Sequence, residues 1–173
     1  ALPGTSVLLM DNSATVGTVT ALSTDNVSTF PLDFDGYSAA ISPDGKTLAF
    51  TSNGAILLKT LATGTVRRME LSSTNNPYVW TMVWSPDSKK IAYTNHYYIQ
   101  YSYWVTRIYI LDVESGVSTL LTAASGQIYE DSPSWSPDGR SVAYTTDDPN
   151  SPGINIINLA TGETTQIVST YNA

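Results

Sequence analysis

Apolar and polar residues alternate in short runs along most of this chain, and the runs recur in sets of four. The clearest are Thr47-Leu48-Ala49-Phe50-Thr51, Lys90-Ile91-Ala92-Tyr93-Thr94 and Ser141-Val142-Ala143-Tyr144-Thr145, which superimpose almost letter for letter with a small residue between two large ones. Alternation of this kind, rich in β-branched and aromatic side chains, predicts half-buried strands. Each run is preceded by another at 37–41, 80–84 or 132–135, then followed by a third at 55–61, 107–113 or 154–159 and a fourth at 66–71, 117–122 or 164–168. Four strands joined by hairpins make one antiparallel sheet, so the pattern predicts three four-stranded units at about 36–71, 79–122 and 131–169. Self-similarity with a period of roughly 20–50 residues marks a repeat architecture, and 1–173 is read as one all-β repeat domain.

The turns are as regular as the strands. Ser42-Pro43-Asp44, Ser85-Pro86-Asp87 and Ser136-Pro137-Asp138 join first strand to second in the three units. Proline presets the first corner, and an Asp carboxylate accepts hydrogen bonds from backbone N–H groups two residues on. Asp44, Asp87 and Asp138 are therefore read as hairpin-closing residues rather than metal ligands or catalysts. Gly64, Gly116 and Gly162 end the turn between third and fourth strands, where a positive φ is needed. Ser88 stands where the other copies have Gly45 and Gly139, which weakens the middle turn.

Spacing locates the variable part of the unit. A second-hairpin glycine is followed by the next motif Asp after 23 and then 22 residues, whereas a motif Asp precedes its own glycine by 20, 29 and 24. The connection between second and third strands is what varies. Insertions confined to one loop of a repeat map to one face, often the binding face. The longest, in the middle unit, holds Tyr97, Tyr98, Tyr101, Tyr103 and Trp104. Tyrosine and tryptophan give large amphipathic contact area, which makes these residues a candidate interface. The same pattern also predicts an elongated hairpin whose alternate rings pack on neighbouring units.

With these motifs together, the chain resembles the TolB-type β-propeller repeat, a relative of WD-repeat blades. Trp135-Ser136-Pro137-Asp138-Gly139 matches the family's W-S-P-D-G element in full, and Trp84-Ser85-Pro86-Asp87 matches it up to Ser88. Ile108-Tyr109-Ile110-Leu111-Asp112 and the segment 116–122 match its later strands. The resemblance implies antiparallel four-stranded blades and protein–protein interaction in the cell envelope. Propellers host many unrelated tasks, so function must be argued from sites.

Ahead of the first full blade, 6–10 and 18–22 look like the third and fourth strands of another, a half-blade at 5–23. About 3.5 blades fall short of the roughly 4–8 with which propellers typically close. Exposed strand edges then want a neighbour. The chain is expected to be part of a longer propeller, or to be completed by a protein partner or copies of itself through strand addition.

Composition fits a β-rich exported protein: 42% apolar, 13% charged, no cysteine. A net charge of −7 argues against nucleic acid or an anionic membrane surface as partner, since both need a basic footprint. No apolar run is long enough for a transmembrane helix, and no membrane insertion is expected. The start at Ala1, without methionine or a signal-type apolar stretch, reads as a processed N-terminus and an extracellular or cell-envelope location. Asn26-Val27-Ser28 is the single N-glycosylation sequon.

Catalytic signatures are missing. The one histidine, His96, cannot build a multi-histidine metal site, and no G-x-S-x-G elbow or glycine-rich phosphate loop occurs. His96 is read as a solvent-facing hairpin residue and the chain as non-enzymatic, with no cofactor. Glu130 and Asp131 in one inter-blade loop, Asp33 and Asp35 in another, and Asp147 and Asp148 in the third blade's variable loop form a candidate acidic loop face. Calcium takes six to eight oxygen ligands, but the spacing has no EF-type pattern, so solvated carboxylates are expected. The sequence thus predicts a non-catalytic propeller scaffold for protein binding or self-assembly. The alternatives are a fibre subunit built by inter-chain strand pairing, the propeller portion of a longer serine peptidase, and a glycan-binding module.

Overall fold

The computed structural model describes residues 38–71, 78–99, 103–122 and 126–169, and the backbone of three strands at 7–11, 18–22 and 27–31. All described elements are strands, and they form four antiparallel sheets. The first blade contains β4 (Ala39–Ile41), β5 (Thr47–Ser52), β6 (Ala55–Thr60) and β7 (Val66–Met69). The second contains β8 (Tyr78–Trp84), β9 (Lys90–Ile99), β10 (Tyr103–Asp112) and β11 (Ser118–Leu120). The third contains β12 (Glu130–Trp135), β13 (Ser141–Thr146), β14 (Gly153–Asn158) and β15 (Thr164–Ser169). Each is a simple meander in which every strand pairs with its sequence neighbour.

The N-terminal sheet departs from expectation. β1 (Val7–Asp11) and β2 (Thr18–Leu22) pair with each other but are not the third and fourth strands of a half-blade: β1 lies beside β4, and a further strand, β3 (Val27–Pro31), adds to β2. Val27-Ser28-Thr29-Phe30 does alternate, and Pro31 is tolerated because β3 lies at the sheet edge. The sequon residue Asn26, together with Asp33, Asp35 and Tyr101, lies outside the described residues.

Inner strands stand side by side: β1 neighbours β4, β4 neighbours β8, and β12 lies against β8, β9 and β10. The array is open. Period-2 alternation puts one face of each strand on each neighbour. Thus Ala49, Ile56, Leu58 and Met69 of the first blade meet Met82, Trp84, Ile91, Tyr93 and Leu111 of the second in one buried cluster. Ile108 of the second blade meets Val142, Tyr144 and Ile157 of the third in another. No helix among the described residues is long and apolar enough to cross a membrane.

The Ser-Pro-Asp turns are superimposable units. In each, the serine hydroxyl donates to the Asp Oδ1 at 2.6–2.7 Å, and that oxygen also accepts the N–H of Lys46, Lys89 or Arg140. The serine oxygen in turn accepts the N–H of Thr47, Lys90 or Ser141. These bonds stabilise the ionised form and hold all three Asp carboxyls below their ordinary pKa, the serine hydroxyl first among the causes. Gly45 and Gly139 take φ of 67° and 70° at the turn, and Ser88 takes 62° despite its Cβ. The Ser88 hydroxyl accepts the Asp44 N–H across the blade boundary at 3.1 Å, a bond that glycine would lack.

Two further bonds tie blades together at repeat-equivalent positions. Trp84 donates its indole N–H to the Ala40 carbonyl at 3.0 Å, and Trp135 donates to the Val83 carbonyl at 3.2 Å. Each motif tryptophan thus reaches the first strand of the preceding blade. Arg67 on β7 adds a forked pair of bonds to the carbonyls of Val113 and Glu114 in the next blade.

Candidate functional site

The insertion of the middle blade is not a loop. It lengthens β9 and β10 into a hairpin of two ten-residue strands in which Tyr97 faces Val105, Tyr98 faces Trp104 and Ile99 faces Tyr103. Because side chains alternate, the candidate interface splits in two. Tyr98 and Trp104 share the face of His96, and Tyr97 and Tyr103 occupy register positions on the other. Tyr97 hydrogen-bonds Tyr109 there, and burial raises the Tyr109 phenol pKa.

A β-bulge completes the first face. Between the pairs Val79–Asn95 and Met82–Tyr93, two residues of β8, Trp80 and Thr81, oppose the single Thr94. A bulge of this kind re-aims side chains. Here Thr81 hydrogen-bonds Thr94 at 2.8 Å, and Trp80 stacks on His96 with ring centroids 4.3 Å apart and planes 19° off parallel. Trp104 covers the other side of the imidazole at 4.6 Å and 9°. The Trp80–His96–Trp104 sandwich is extended by Tyr98, edge-on to Trp104 at 4.3 Å, and by Tyr78 at 6.1 Å. Tyr129 flanks His96 at 6.3 Å, brought in by a parallel bridge to Thr106.

His96 is therefore not solvent-facing but half-buried, with Nδ1 2.8 Å from Thr106 Oγ1. Burial lowers its pKa, and Asp131 opposes the shift. Trp80, Tyr78 and Tyr129 remain 44%, 37% and 37% exposed, so the stack presents aromatic edges and faces to solvent. These three lie outside the insertion, where the aromatic run in the sequence does not point. Tyr78 and Trp80 carry the alternation signal, but the bulge behind them has no letter pattern of its own.

The acidic residues do not form one solvated loop face. Glu130 opens β12 and is 2% exposed; the Thr122 hydroxyl donates to its Oε2, and burial raises its pKa. Asp131 is half-buried and accepts from Thr81 at 3.2 Å and from the Ser132 N–H at 2.6 Å. Asp147 is exposed and accepts the Tyr129 N–H at 2.6 Å, and Asp148 accepts from both nitrogens of Asn150. Among the described residues no group of three or more His, Cys, Asp or Glu is placed to hold a metal ion. Glu130 and Asp148 instead line a cavity of about 450 Å3 between the second and third blades.

Four-stranded meanders set side by side and tied by an indole bond at both boundaries between them define a β-propeller repeat protein. Comparison with known proteins places the repeat within that class. TolB from Acinetobacter baumannii matches with a TM-score of 0.69 at 21% identity, over 95% of this chain and 41% of that one. A protein of Agrobacterium tumefaciens described as a TolB matches with a TM-score of 0.64 at 28% identity, over 94% of this chain and 58% of that one. An uncharacterized protein of Agrobacterium fabrum is 36% identical over 111 residues, 61% of this chain and 34% of that protein. No family model matches the chain. The blades are similar to those of the TolB propellers, and the chain spans between about a third and three-fifths of the length of these proteins.

Proposed function

We propose that this chain is a non-catalytic propeller scaffold that binds a protein partner at the cell surface or in the envelope. The observation that carries the reading is the Trp80–His96–Trp104 stack with its exposed edges. Aromatic rings that are half-covered and locked before binding supply anchor area at little cost in side-chain entropy. Here the bulge fixes Trp80 and the Thr106 bond fixes the imidazole. The likeness to TolB supports an envelope setting, and the net charge of −7 disfavours anionic surfaces as the target.

Affinity capture from an envelope extract tests this with the wild-type chain and a Trp80→Ala, Trp104→Ala variant. A protein retained by the wild type and lost about tenfold or more from the variant is expected, at the scale of interface anchors. Equal retention by both sinks the reading.

A second reading rests on β15, all six of whose residues are exposed, Ile167 and Val168 at 55% and 46%. An apolar outer edge of this kind can template strand pairing between copies. Light scattering separates the two readings: polymers support self-assembly, and a particle near 18.6 kDa removes it.

A further inference from the structure

The two boundaries between full blades follow one plan, and each repeat position in one has a counterpart in the other. Tyr93 and Tyr144 are equivalent and hydrogen-bond the equivalent residues Ser118 and Thr164. Around the first of them the wedge is filled. Tyr109, opposite Tyr93 on β10, stacks on it at 5.5 Å, and Val79 closes the inner end at 4% exposure. Around the second it is hollow. Asn155 takes the place of Tyr109 opposite Tyr144, and Glu130 takes the place of Val79.

Folding does not require that exchange, because the preceding boundary holds tyrosine and valine at those two positions on the same backbone. Burying a carboxylate costs free energy unless it is paired. Among the described residues only Thr122 donates to Glu130, leaving Oε1 without a protein donor. Arg107 lies close enough to favour the charged form, but its guanidinium bonds the carbonyls of Thr106, Gly126 and Ile128. Asp148 commits Oδ1 to Asn150 and keeps Oδ2. Two carboxylates with spare oxygens, beside the hydroxyls of Thr146 and Ser151, thus line a cavity of about 450 Å3 whose described lining has no Lys or Arg. That volume lies in the range of small-molecule sites, roughly 300–1,000 Å3.

We infer that the wedge between the second and third blades binds a small organic ammonium compound, its cationic nitrogen donating to Glu130 and Asp148 and its carbon chain lying along Tyr144 and Ile157. An ammonium group brings the donors and the positive charge that these oxygens lack. A calcium ion would need several more oxygen ligands than the two carboxylates provide.

Titration calorimetry on the 173-residue chain tests the site with 1,5-diaminopentane and its neutral counterpart pentane-1,5-diol. The diamine is expected to bind and the diol to bind at least about tenfold more weakly, in keeping with the greater strength of charge-assisted hydrogen bonds. Glu130→Gln keeps the shape and the Thr122 bond, and is expected to weaken the diamine by a similar factor. Asn155→Tyr rebuilds the Tyr93–Tyr109 arrangement and is expected to abolish binding by filling the cavity. If that variant does not fold, Glu130→Gln carries the test alone. No diamine binding, equal binding of the diol, displacement of the diamine by calcium, or wild-type affinity in Glu130→Gln would each overturn the assignment.

Discussion

The boundary between the first and second full blades is closed by tyrosine and valine, whereas the next boundary carries a buried glutamate and an open cavity at the same places. Both share the indole bond to the preceding blade, the tyrosine hydroxyl bond and the Ser-Pro-Asp turn. The contrast separates the residues that hold blades together from those free to be spent on something else. The former repeat from blade to blade; the latter do not.

Turning the filled wedge into the hollow one should have the largest effect. Tyr109→Asn removes the stacked ring from a close-packed cluster and is expected to destabilise the chain by about 2–3 kcal/mol, somewhat below full truncation of a buried aromatic. Urea unfolding measures it, and a loss under about 0.5 kcal/mol, the range of ordinary surface substitutions, would show that the first wedge is not held by that ring.

Relieving the buried charge tests the opposite side. Burial raises the Glu130 pKa above its ordinary 4.5, so the folded form favours the proton. The wild type therefore loses stability as pH rises from 4.5 through the folded pKa, whereas glutamine does not titrate. Glu130→Gln is expected to be more stable near pH 7 by about 1–3 kcal/mol, the cost of an imperfectly satisfied buried polar group. The gain should shrink below pH 4.5. A variant less stable than the wild type at neutral pH would mean that the carboxylate is structurally satisfied and the contrast between the wedges is smaller than it looks.

What the boundaries share should respond alike. Trp84→Phe and Trp135→Phe each remove one indole bond, of 3.0 and 3.2 Å, and should each cost about 0.5–1.5 kcal/mol. Unequal losses in denaturant unfolding would show that the two bonds are not counterparts.

Most of this frame was legible in the sequence because its causes are local. The run Lys90-Ile91-Ala92-Tyr93-Thr94 alternates, and Pro86 and Asp87 carry turn chemistry within a few residues of where it acts. The candidate site was less legible, because it depends on register between distant segments. Glu130 reads as a loop carboxylate until β12 is seen to begin with it, and His96 reads as exposed until the bulge at Trp80 and Thr81 brings a second indole over it. β3 was lost among turn residues for the same reason: pairing with β2 defines it more than its own five letters do.

The indole bonds all run one way, from a later blade to an earlier one, and so give the array a grain. Ser134 is the third blade's counterpart of Ala40 and Val83, while the first blade offers Ile41 where the others have tryptophan. Within the chain β4 already has a neighbour in β1, and the Ile41 side chain has no N–H to give it. The tie that the two later blades make to their predecessors is therefore missing at that junction, and the N-terminal sheet is joined to the first full blade by other means.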